Sequence, residues 1–345
     1  MSPRRRIRAL VAEDSPTQRK LLVSILSADP DIVVVGEAVD GQEAVDLARS
    51  LHPDVITMDV AMPRLGGLEA TKRIMQVTPT PIVISSNLAT AAVEAAMRAL
   101  NAGALAVLRK PPGPASPRFE QEAADFVRQV KLLARVKVVR HLRTGNTPIP
   151  LLMRARRAVR PEVIAIAAST GGPPALQHIL AGLPADFAAP ILVVQHIAAD
   201  FVDGLVTWLD QVLELEVKVA EAGEPLRSGC VYVAPDGGHL GVTSPRMIEI
   251  DRAPAIDGFR PSSTALFASV AREFGEAALA LMLTGMGRDG VAGLIPLHGA
   301  GARVIAQDEA SSVVFGMPKA AILAGVTDEV LDLDAIAERL RGALT

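Results

Sequence analysis

"VIAIAASTGGPPAL", residues 163–176, decides how the chain reads. A short, continuously apolar run, Val163 to Ala168, ends in a hydroxyl pair, Ser169-Thr170. Two glycines and two prolines then open a helical pattern. Such a run is the signature of a strand buried on both faces of a parallel sheet, followed by its crossover helix. Downstream the alternation continues through "PALQHILAGL", "APILVVQH", "DGLVTWLDQVL", "CVYVAP", "STALFASVAREF", "AALALMLTG", "GVAGLIPLHGAG" and "ARVIAQ". A hairpin-like "HLGVTSPRMIEI" interrupts it. This is an α/β doubly wound domain.

Upstream a second set of strands and helices alternates: "IRALVAED", "TQRKLLVSILS", "DIVVVGEAV", "GQEAVDLARSL", "DVITMDV", "GLEATKRIMQV", "PIVISSN", "TAAVEAAMRALNAG" and "ALAVLRKP". Five short apolar strands with intervening helices form another parallel α/β domain, closed by "FEQEAADFVRQVKLLARV". Between the two, "RHLRTGNTPIPLLMRARRAVRP" holds no period, which places a linker at about residues 136 to 160. From Phe126 to Pro161 there is no Asp or Glu, while eight Lys or Arg fall from Arg135 to Arg160. That stretch reads as a solvated basic linker or as a patch for an acidic partner.

Composition narrows the function classes. A chain of 345 residues has room for two cores. A net charge of -3 gives no case for nucleic-acid binding. No apolar run approaches the roughly 18 residues of a membrane span, so no direct membrane insertion is expected. One cysteine, Cys230, excludes a disulfide framework and suggests a reducing, cytoplasmic setting.

Ligands of parallel sheets bind beyond the C-terminal strand ends. In the first domain those ends carry Glu13-Asp14, Asp59, Ser85-Ser86 and Lys110. Three gathered carboxylates call for a hard cation such as Mg²⁺. A lysine and a hydroxyl beside them suit a transferred phosphoryl group. Over about residues 7 to 125 this constellation resembles the receiver domain of two-component response regulators, which implies a flavodoxin-like, five-stranded parallel sheet. The resemblance implies that Asp59 accepts phosphate from a histidine kinase and that Glu13, Asp14 and Asp59 hold magnesium. It further implies that Lys110 contacts the phosphoryl group and that Ser85 is the switch hydroxyl. Val107 stands where receivers often carry an aromatic residue.

In the second domain the Ser169 turn admits three readings: an anion cradle, a plain corner or a nucleophile's seat. It is neither G-x-G-x-x-G nor a Walker loop, and Pro173 and Pro174 lack N–H donors. Ala167-x-Ser169-x-Gly171 is a small-x-nucleophile-x-small turn. A serine there needs a base and a group that orients the base. His196 closes one strand and Asp289 lies in "LTGMGRDG"; His239, in "APDGGHL", rivals His196. No histidine pair has zinc-ligand spacing.

"ASTGGPPAL", "VVQHI", "VYVAPDGGHL", "LTGMGRDG" and "AQDEASSVVFGMPKAA" resemble the chemotaxis protein-glutamate methylesterase (CheB) family. That resemblance spans the chain and implies a receiver over 1–125, a helix end and basic linker over 126–160, and a catalytic domain over 161–345. It implies Ser169 as nucleophile, His196 as base, Asp289 as orienter, and Thr170 and Met286 as oxyanion or positioning contacts. The activity implied is hydrolysis of glutamate methyl esters on methyl-accepting chemoreceptors, with glutamine deamidation, and no cofactor for the esterase chemistry. An unphosphorylated receiver is expected to cover the catalytic mouth. The family departures at "IAADFVDGL" and at Ser263-Thr264 are expected to border the substrate groove or the domain interface. The competing readings are an esterase-like domain that only docks partners, and a nucleotide switch.

Overall fold

The computed structural model describes residues 5–86, 90–136 and 160–342, with the backbone alone in 90–94. Residue contacts divide the chain into two compact units, Met1–Leu142 and Arg143–Thr345. The linker expected over 136 to 160, with its run of basic residues, lies outside the described residues apart from its ends.

In the first unit five strands alternate with five helices: β1 (Ile7–Ala12), α1 (Pro16–Ser27), β2 (Ile32–Ala38), α2 (Gly41–Leu51), β3 (Val55–Asp59), α3 (Gly67–Val77), β4 (Ile82–Ser86), α4 (Thr90–Asn101), β5 (Ala106–Arg109) and α5 (Phe119–Leu133). The sheet is wholly parallel in the order β2-β1-β3-β4-β5. Strands β3 and β4 are buried along their whole length, which explains their unbroken apolar runs. Two helix starts carry side-chain caps: Ser15 accepts the Gln18 N–H ahead of α1, and Asp40 accepts from the N–H groups of Gln42 and Glu43 at 2.8 and 2.9 Å ahead of α2.

The second unit contains β6 (Val163–Ala168), α6 (Gly172–Leu180), β7 (Ile191–Gln195), α7 (Val202–Val212), β8 (Glu216–Val219), β9 (Cys230–Val233), β10 (His239–Thr243) and β11 (Met247–Asp251). It continues with α8 (Ser263–Glu273), β12 (Ala278–Met282), α9 (Val291–Gly299), β13 (Arg303–Gln307), α10 (Met317–Leu323), β14 (Glu329–Leu331) and α11 (Leu333–Gly342). Seven parallel strands run in the order β14-β13-β12-β6-β7-β9-β8, and β10 and β11 form the expected antiparallel hairpin. On one face Val163, Ala165, Ala167, Leu192, Val194 and Tyr232 pack against Leu266 and Phe267 of α8 and Leu294 and Leu297 of α9. Sequence pattern alone does not separate β8 and β14. They are the two edge strands, only 4 and 3 residues long, and half-exposed, so they lack the long apolar run of a central strand.

In both sheets the chain order reverses at a central pair, β1/β3 in the first and β6/β12 in the second. A crevice opens at such a switch point, beyond the C-terminal strand ends.

Candidate active site

Glu13 and Asp14 follow β1 directly, Asp59 ends β3, and Lys110 follows β5. One carboxylate oxygen from each of Glu13, Asp14 and Asp59 lies within 4.8 Å of the others. The Lys110 Nζ sits 2.7 Å from Glu13 and 3.0 Å from Asp59. Ser85 pairs in register with Asp59, and its buried Oγ makes no hydrogen bond among the described residues. Burial pushes the Glu13 carboxyl above its usual range; the hydrogen bond from Lys110 opposes this and the Asp59 charge reinforces it. One ammonium thus leaves the acidic cluster under-neutralised. An all-oxygen donor set with residual negative charge fits a hard divalent cation.

The second site forms at the switch point β6/β12. Ser169 follows β6 and His196 follows β7, with Ala168 and Gln195 paired in register. The two residues therefore stand on adjacent strands, roughly 5 Å apart along the sheet. The turn after Ser169 needs its glycines. Gly171 has φ of 78°, and a Cβ there would come within 2.5 Å of Val313. Gly285 lets the loop after β12 approach Ser169, since a Cβ there would lie 2.6 Å from the Ser169 Cβ.

Asp289 is 2% exposed. Its Oδ2 lies 2.9 Å from His196 Nε2 and accepts the Ser263 N–H at 2.6 Å. Its Oδ1 accepts the Ser262 hydroxyl at 2.6 Å and the Thr264 N–H at 3.3 Å. Burial alone would raise this carboxyl, but the nearby His196 and the donors from Ser262 and Ser263 outweigh it and hold Asp289 well below the usual carboxylate range. The start of α8, with its N-terminal dipole, is the anion's seat. Both ring nitrogens of His196 are shielded from solvent and neither makes a hydrogen bond among the described residues, so Nε2 meets Asp289 as a close ion-pair contact. The Phe259 ring stacks on the imidazole, with centroids 4.4 Å apart and planes 15° apart.

Neither the Thr170 nor the Met286 N–H donates a hydrogen bond among the described residues, so both remain free for an oxygen. The Thr170 carbonyl is held by the Thr284 hydroxyl at 2.9 Å, and the Thr284 N–H is held by the buried Gln307 at 2.7 Å. Gln195 contributes a brace that sequence reading missed. Its Nε2 donates to the carbonyls of Ser169 at 2.8 Å and His196 at 2.9 Å. Gln195 ends an apolar strand next to a histidine, and nothing in its spacing marks it.

Two expectations change. His239 is not a competing base: it is 2% exposed and both ring nitrogens face backbone groups. Ser263-Thr264 does not border a groove by its side chains alone. Ser263 is fully buried, and both N–H groups hold Asp289.

The chain matches the CheB methylesterase family over residues 164–340 and the response regulator receiver domain family over residues 9–116. It is 53% identical over 341 residues to protein-glutamate methylesterase/protein-glutamine glutaminase 4 of Myxococcus xanthus (strain DK1622), covering 98% of this chain and 97% of that one. It is 52% identical over 336 residues to protein-glutamate methylesterase/protein-glutamine glutaminase 3 of Anaeromyxobacter dehalogenans (strain 2CP-C), covering 97% and 98%. The crystal structure of the Thermotoga maritima CheB methylesterase catalytic domain superposes with a TM-score of 0.51 at 39% identity, over 53% of this chain and 98% of that one. With its receiver in front of its esterase domain, the chain belongs to the CheB methylesterase family.

Proposed function

We propose that this protein is a cytoplasmic, phosphorylation-regulated esterase that hydrolyses glutamate methyl esters, and deamidates glutamines, on methyl-accepting chemoreceptors. The observation that carries the reading is the ionised Asp289 set against His196 Nε2, one strand away from Ser169. With the proton on Nε2, the nitrogen nearest Asp289, Nδ1 keeps its lone pair and is the base. Ser169 Oγ attacks the ester carbonyl carbon as His196 takes its proton. The oxyanion faces the N–H groups of Thr170 and Met286, donors worth about 2.7–4 kcal/mol each in such reactions. His196 returns the proton to the departing methoxy oxygen and methanol leaves. Water, deprotonated by His196, then releases the acyl group as a carboxylate and restores Ser169. Asp289 stays ionised throughout and stabilises the imidazolium. With glutamine the same attack expels ammonia.

In the receiver, Asp59 takes the phosphoryl group from a histidine kinase, Lys110 contacts that group and Ser85 follows it. Glu13, Asp14 and Asp59 would hold Mg²⁺. The cation, when bound, neutralises charge between carboxylates and phosphoryl oxygens. The corresponding partition is a receiver over 1–125, a linker over 126–160 and a catalytic domain over 161–345. A fluorophosphonate probe tests the esterase reading: covalent labelling of wild type, absent in Ser169→Ala, is expected. An unlabelled wild type would leave an esterase-like domain that only docks partners.

A further inference from the structure

We propose that buried His239 is a positioning residue of the esterase reaction: it fixes Ser262, and through Ser262 the Asp289 carboxylate that orients His196. This rests on the esterase reading above. His239 opens β10 at 2% exposure. Its Nε2 lies 3.2 Å from the Pro254 carbonyl oxygen, which accepts only, so that nitrogen carries the proton. Its Nδ1 accepts the Ser262 N–H at 3.1 Å, so it keeps its lone pair. The two contacts together select one neutral tautomer.

Ser262 is fully buried. Its Oγ accepts the Thr264 N–H at 3.1 Å, and its own proton goes to Asp289 Oδ1 at 2.6 Å. The other carboxylate oxygen faces His196. A continuous line of polar contacts therefore runs from Pro254 through His239, Ser262 and Asp289 to the base. The same imidazole ties together both ends of the loop from Pro254 to Ser262. That loop carries Phe259, whose ring lies on His196. His239 thus governs the base from two sides, its carboxylate and its stacking partner, without touching substrate.

The two ring nitrogens can be separated by substitution. His239→Asn keeps an acceptor near the Nδ1 position and can still receive the Ser262 N–H. His239→Gln places its amide near Nε2 and leaves that N–H unpaired inside the protein. In steady-state methanol release by the full-length protein, His239→Gln is expected to lower kcat about tenfold to a hundredfold with KM little changed, the scale of a small misplacement of reacting groups. His239→Asn is expected to recover most of that loss.

The second readout is the imidazole N–H proton resonance of His196, identified by its loss in His196→Gln. It should shift or broaden in His239→Gln and return in His239→Asn. Equal loss in both variants, or no loss in either, overturns the proposal. If His239→Gln does not fold, Ser262→Ala reads the same link, and an unchanged resonance and kcat there overturn it too. A wild type without methanol release would sink the esterase reading instead, and the resonance alone would then decide the linkage.

Discussion

The two pockets of this protein occupy the same place in two parallel sheets and solve opposite electrostatic problems. In the receiver, burial raises the Glu13 carboxyl, and one lysine serves two carboxylates. In the esterase domain one carboxylate, Asp289, accepts three hydrogen bonds, lies 2.9 Å from His196 and is held down. The first is an anion cluster waiting for positive charge. The second is a saturated anion whose purpose is geometry. A pocket with surplus charge suits a cation and a transient phosphoryl group, whereas a saturated one suits a base that must not move.

The largest expected effect breaks the second pocket. Asp289→Asn preserves shape but offers His196 an amide in place of a carboxylate, which favours the wrong tautomer; kcat for methanol release should fall about 10⁴-fold. Phosphorylation of the receiver by a small donor should be untouched in that variant. The converse separates the pockets from the other side. Chelation of divalent cations, or Asp59→Asn, should abolish donor-stimulated turnover and leave basal methanol release intact; a fall in basal release on chelation would place the cation in the wrong pocket.

The opposite pKa directions sharpen the comparison through stability. Asp289 is depressed, so its contribution is full above the ordinary carboxylate value and is lost as pH falls through the folded value. Glu13 is raised, so the folded receiver holds its proton more tightly than the unfolded chain, and stability declines as pH rises from the ordinary value through the raised one. In urea titrations without divalent cations, Asp289→Asn should destabilise at pH 7 and progressively less in acid. Glu13→Gln should leave the receiver at least as stable at pH 7 while weakening divalent binding. Matching pH trends for the two variants would contradict the contrast.

The smallest effect tests the turn. Gly171→Ala forces a Cβ onto a left-handed residue against Val313 and should cost about 1–2 kcal/mol in denaturant unfolding of the catalytic domain.

The receiver pocket was legible because each of its side chains sits at a strand end, where a charged residue after an apolar run stands out. Ser169 and His196 were legible for the same reason. Asp289 lies seven residues beyond the end of β12 and needed motif resemblance. Gln195, Ser262 and His239 were not legible in these roles. Each acts on backbone or on another site residue, and only the folded hairpin brings residue 239 to the start of α8. Periodicity reports burial and not which buried group a polar atom will find. The short edge strands escaped for a related reason, since half-exposed strands show no unbroken apolar run.

The central claim, a serine esterase whose rate is set by phosphorylation of Asp59, is met most directly by methanol release from methylated chemoreceptor membranes with Mg²⁺, before and after a small phosphodonor. The account predicts release that rises with donor, stays at its basal rate in Asp59→Asn, and vanishes in Ser169→Ala. Release that persists in Ser169→Ala would contradict it.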